Sequence, residues 1–137
     1  MPISATRLLA GPGANIAARL LVTSAFWISG ISKLVFWQSG VGTMAHFGLH
    51  PPAAFNIATI IVQLAGSALI IWGRRAWLGA VLLAVFTALT IPIAQHFWDM
   101  QGPARASALN GLFEHISLIG GLLAIAIVRS AQPGNPD

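Results

Sequence analysis

The chain has no cysteine, and only three of its 137 residues are acidic. Without cysteine there can be no thiolate nucleophile, dithiol exchange, iron–sulfur ligation or structural disulfide. Charged residues of both signs make up 7% of the sequence. At a mean hydropathy of +0.79, a soluble domain would have too little polar surface to stay dissolved. The length leaves no room for an extramembrane domain to hold a nucleotide. The formal charge of +4 comes from side chains at the ends of apolar runs, where they meet lipid rather than nucleic acid.

What the sequence does have is apolar runs, at residues 16–37, 55–72, 77–97 and 109–128. A helix crossing a bilayer needs ~20 mostly apolar residues, and each run is of that order. The first is too long for a signal-peptide core and no clear small-x-small site follows it, so it is read as a span. The expectation is an all-α integral membrane protein. It forms a single domain over residues 1–137, folded as a four-helix bundle.

Arg7, Arg19, Arg74, Arg75 and Arg129 fall on one side of such a bundle, and Lys33 and Arg105 on the other. The positive-inside rule then places both termini in the cytoplasm, with Trp37 and Trp98 at the outer interface and Trp72 and Trp77 at the inner one. His46, His50, His96 and His115 are outer-side residues in this topology, as are Asp99 and Glu114.

At 100° per residue, the first span gathers Arg19, Thr23, Phe26, Gly30 and Lys33 into about 80° of arc. The second gathers Asn56, Thr59, Gln63, Gly66 and Ser67, and the fourth Asn110, Glu114, Ser117, Gly121 and Ala124. Small and polar faces of this kind are expected to point into the bundle, leaving Leu, Ile, Val and Phe for lipid. The third span carries an Ala80, Ala84, Ala88 ridge, suited to close packing or to a homo-oligomer, and Pro92 is expected to kink it. Lys33 and Glu114 lie at matching depth, ~5–8 Å inside the outer boundary, and are expected to form an ion pair. Arg19 has no acid at its depth, so it is expected to reach phosphate or cap backbone carbonyls. Gly11-Pro12-Gly13 and Gln132–Asp137 read as flexible ends.

Three classes of chemistry can be weighed on these residues. A metal could draw on His96, His115, Glu114 and Asp99. However, Glu114 and His115 diverge by about 100° around the helix, and His46 and His50 would chelate only if their loop were helical. No metal site is assigned. A quinone or other lipophilic ligand could take hydrogen bonds from Lys33, Gln63, His96, Glu114 and His115, with ring contacts from Phe26, Trp27 and Trp98. His96 and Glu114 would then be the proton carriers. A purely structural polar network would use the same side chains. No half-helix pair or internal repeat supports a transporter.

In order along the chain stand Arg19-Leu20-Leu21, Ser29-Gly30-Ile31-Ser32-Lys33, Gly48-Leu49-His50-Pro51, Gly66, Trp72-Gly73-Arg74-Arg75, His96-Phe97-Trp98 and Ile119-Gly120-Gly121-Leu122-Leu123. Their order and spacing resemble the DoxX family of four-span bacterial membrane proteins. The resemblance implies a bacterial inner-membrane bundle with a short amphipathic or re-entrant element in residues 38–54. It also implies a small accessory or quinone-associated component of a membrane redox assembly, working beside an oxidoreductase subunit. The alternative it leaves open is a stand-alone quinone-handling oxidoreductase using His96 and Glu114. Many members carry Glu near Gln63, and the neutral amide here weakens a proton relay at that position.

Overall fold

The computed structural model describes residues 5–131, so the Gln132–Asp137 tail lies outside the described residues. The helices are α1 (Ala5–Leu9), α2 (Pro12–Val35), α3 (Trp37–His46), α4 (Pro52–Trp72), α5 (Ala76–Ala94) and α6 (Gly102–Ala131), with a 3₁₀ turn at Phe97–Asp99 before α6. Four helices are long and apolar enough to cross a membrane, and they correspond to the four apolar runs. Three of them start earlier than hydropathy suggests. Proline at the first helical positions opens α2 and α4, where its missing N–H costs nothing. Gly11-Pro12-Gly13 is therefore a helix start rather than a loose end. In α6 the polar residues after Gly102 continue the helix before the apolar stretch begins.

The spans pack in chain order, α2 on α4, α4 on α5 and α5 on α6, while α6 touches α2 only lightly. Phe26, Ile70, Ala80, Leu83 and Leu122 form the core, drawing one or more residues from each of the four spans. The α4–α5 crossing is the tightest place in the bundle. A Cβ on Gly79 would lie 2.7 Å from the Gly66 carbonyl oxygen, and one on Gly66 would lie 2.6 Å from Leu83 Cγ. Glycine at both positions lets the two backbones touch, the device by which membrane helices gain packing energy without a hydrophobic drive. Ala80 is buried and Ala84 packs against the core, so the alanine ridge serves inside the chain at these two positions. Pro92 sits within α5, which stays helical to Ala94.

The expected element between the first two spans is α3. Gly40 and Met44 are its buried residues, one turn apart on one face. Gly40 lies so close to α4 that a Cβ would come 2.6 Å from Asn56 Oδ1. In the described residues, both amide atoms of the fully buried Asn56 lack hydrogen-bond partners.

At the opposite end of the bundle, α4 stops at Gly73, which adopts the left-handed conformation (φ 92°) that glycine alone reaches without strain. The carbonyls left free by the end of the helix receive arginines. Arg19 Nη1 donates to Ile70 O (3.2 Å) and Ile71 O (2.7 Å), and Arg129 Nη2 donates to Gly73 O (2.7 Å). Cations at a helix C-terminus complement both the free carbonyls and the helix dipole. The sequence expectation that Arg19 caps backbone carbonyls holds.

Candidate functional site

Between α2, α4, α5 and α6, with α3 closing one side, lies a cavity of about 460 Å³. Its wall is mostly apolar, with Phe26, Met44, Val62, Phe86 and Leu118 among the lining residues. Against this stand Lys33 from α2, Gln63 from α4 and His115 from α6, with Thr43, Thr59, Thr87 and Thr90 around them. A predominantly apolar pocket with a few convergent polar groups is the usual form of a small-molecule site.

Each polar group is held by its own helix. Lys33 Nζ donates to Ser29 Oγ at 2.5 Å, one turn back along α2. An ammonium carries three donors, so this contact leaves two to direct elsewhere. The His115 Nδ1 lies 2.7 Å from Gly111 O. Because a carbonyl only accepts, Nδ1 must carry the proton, and in the neutral ring Nε2 is left as an acceptor. Gln63 Oε1 is buried and has no partner among the described residues. Thr87 and Thr90 donate to Leu83 O and Thr87 O, both at 2.7 Å, leaving their oxygen lone pairs free to accept.

The five expected site residues therefore separate. Lys33, Gln63 and His115 share the cavity, whereas His96 and Glu114 lie outside its lining. His96 Nδ1 instead meets Asp99 Oδ1 at 2.5 Å across the 3₁₀ turn, and no ion pair joins Lys33 to Glu114 among the described residues. Glu114 is turned away, into a groove with Val22, Phe113 and Ser117. Of the three expected ring contacts, Phe26 lines the cavity and Trp27 and Trp98 do not. α3 ends at His46, so the helical condition for a His46–His50 chelate is not met. Thr43 and Met44 are lining residues that sequence reasoning missed. The signal was the small and apolar face of α3, which marks it as packed against the bundle rather than lying free.

The expectation of an inward polar face holds for α2, where Arg19, Thr23, Phe26 and Gly30 are buried. It also holds for α4, where Asn56, Gln63, Gly66 and Ser67 are buried. It fails for α6, whose buried residues are Ala108 and Leu122. Asn110, Glu114, Ser117 and Ala124 are exposed.

The fold defines a multi-pass, all-α membrane protein with a mostly apolar cavity, carrying a few polar groups, inside a four-span bundle. The chain belongs to the DoxX family, whose pattern it matches over residues 14–96, from α2 to just past the end of α5. It is also 30% identical over 118 residues to the inner membrane protein YphA of Escherichia coli (strain K12), covering 86% of this chain and 84% of that protein. No solved structure matches it.

Proposed function

We propose that this chain is an inner-membrane component of a redox assembly, holding a quinone-type ligand in the central cavity beside an oxidoreductase subunit. The observation that carries this reading is the buried, unpartnered Gln63 Oε1 in a wall shared with Lys33 and His115. A buried polar atom without a partner costs free energy until something bonds to it. The wall presents a donor (Lys33 Nζ) and two acceptors (Gln63 Oε1 and His115 Nε2). A carbonyl-bearing quinone uses the donor, and a hydroxyl-bearing quinol uses the acceptors as well. His115 takes the proton-carrying role that the sequence suggested for His96, since its ring stands in the cavity wall. The family membership and the inner-membrane relative support the location. The cluster of arginines where α4 ends favours a cytoplasmic position for that end, and hence for both termini.

The test is equilibrium binding of a short-chain ubiquinol analogue, kept reduced so that its hydroxyls can donate, to the protein in lipid nanodiscs. Gln63→Leu and Lys33→Met are expected to weaken binding by roughly tenfold each, the worth of one hydrogen bond to a buried group. His96→Ala is expected to bind as the unaltered chain does. Equal affinity for the unaltered chain and Gln63→Leu would reject the reading.

A further inference from the structure

Resting on the reading of the central cavity as a ligand site, we propose that a second, polar pocket where α2 meets α3 is its aqueous inlet. Water and protons pass through it to the ligand, by way of Lys33 and Thr43. The pocket measures about 190 Å³ and is lined by Ser32, Lys33, Phe36, Ser39, Gly40 and Thr43. Ser32, Ser39 and Thr43 are exposed, so the pocket opens at the protein surface. A water molecule takes up about 30 Å³ in the liquid, which leaves room here for several.

Lys33 and Thr43 line both this pocket and the central cavity, so the two spaces abut at these side chains. Lys33 bonds to Ser29, and no acid pairs with it among the described residues. An ammonium within a span is stable where a counter-charge or water reaches it. With no counter-charge, water is what remains, and the polar pocket is where water can stand. The neighbouring face of α4 needs it as well. Asn56 is fully buried with both amide atoms unpartnered, and it lies directly behind Gly40. A Cβ on Gly40 would come 2.6 Å from its Oδ1 and 3.0 Å from its Nδ2. Thr59 and Gln63 follow Asn56 at intervals of three and four residues, on the same helix face, and both line the cavity. Buried polar atoms that lack a protein partner are ordinarily satisfied by ordered water.

Other lining residues of the cavity, Phe47, Phe55 and Leu89, are apolar and exposed. They form a second mouth, through which a lipophilic molecule enters from the bilayer. The polar mouth admits what hydrocarbon cannot carry. A ligand that gains or loses protons needs both.

The chain has no native cysteine, so a thiol label reports the introduced residue alone. The test is the rate at which single-cysteine variants in lipid nanodiscs, with no quinone added, react with a negatively charged methanethiosulfonate reagent. The reactive thiolate forms where water reaches the sulfur. Ser32→Cys and Ser39→Cys are expected to react at least about tenfold faster than Leu34→Cys. Leu34 is exposed on α2 beside Lys33 but lines neither space. Thr59→Cys, inside the cavity, should react at an intermediate rate. Ser39→Trp or, as a second plug, Thr43→Trp should slow that reaction at least about fivefold by displacing the water, whereas Leu34→Trp should leave it within about twofold. Size-exclusion elution identifies the variants that fold. The inlet is overturned if Ser32→Cys and Ser39→Cys are as slow as Leu34→Cys, if Thr59→Cys does not react, or if neither plug slows it. Because no quinone is present, these rates stand or fall separately from quinol binding.

Discussion

Gly79→Val will abolish stable folding or cost at least about 3 kcal/mol, the upper range for overpacking a close-packed interior. The added Cβ would meet the Gly66 carbonyl oxygen at 2.7 Å, Leu69 Cβ at 2.9 Å and Ile70 Cγ1 at 3.1 Å. The first of these is backbone, which no rotamer change can move aside. Relief requires α5 to move off α4, and that opens the core around Ile70, Ala80 and Leu83. Unfolding by sodium dodecyl sulfate titration of the protein in mixed micelles reads the loss directly. Gly42→Ala is the control, because a Cβ there meets nothing within 4 Å. It should raise stability slightly, by about 0.5–1 kcal/mol at a helical position. A Gly79→Val protein as stable as the unaltered chain would show that the α4–α5 contact is not close.

Arg19→Leu is expected to cost about 3–5 kcal/mol in the same titration. Arg19 is only 8% exposed, and its guanidinium makes two hydrogen bonds, at 3.2 and 2.7 Å, to carbonyls in the last turn of α4. Hydrogen bonds from a charged donor are worth about 1.5–3 kcal/mol each, and the carbonyls left behind would be unpaired where water is scarce. The sum is reduced by removing a neighbour of Arg129, whose guanidinium also closes on Gly73. Arg19→Lys should recover roughly half of the loss, since an ammonium is a point donor without the guanidinium fork. If Arg19→Leu were neutral, the arginine would be a surface anchor and no cap.

Much of this architecture was legible in the sequence because a bilayer imposes a simple rule: every span must be long, apolar and helical. The inward faces of α2 and α4 were legible because their polar and small residues recur at helical spacing. The same spacing misled for α6. Periodicity reveals that a helix has a polar face but not what that face meets, and a second protein surface satisfies it as well as the chain's own interior. The expected Lys33–Glu114 pair failed for a related reason. Depth along two helices follows from counting residues, whereas their relative rotation depends on which helices are neighbours. α6 packs chiefly on α5 rather than α2, so Glu114 turns away from Lys33. The cavity was half legible: Lys33, Gln63 and His115 were marked by residue type, but their convergence depends on how α2, α4 and α6 are rotated toward one another.

The arginine cap also bears on how the protein is made. Gly73 and Arg129 are 56 residues apart in sequence, so the ribosome delivers the carbonyl long before its donor. While only three spans have been synthesised, Arg19 can already cap Ile70 and Ile71, but the Gly73 carbonyl still lacks its Arg129 donor. The closing hydrogen bond arrives with the final helix. A chain cut short before that helix cannot finish its own bundle, and the membrane's proteases would meet it in that unfinished state.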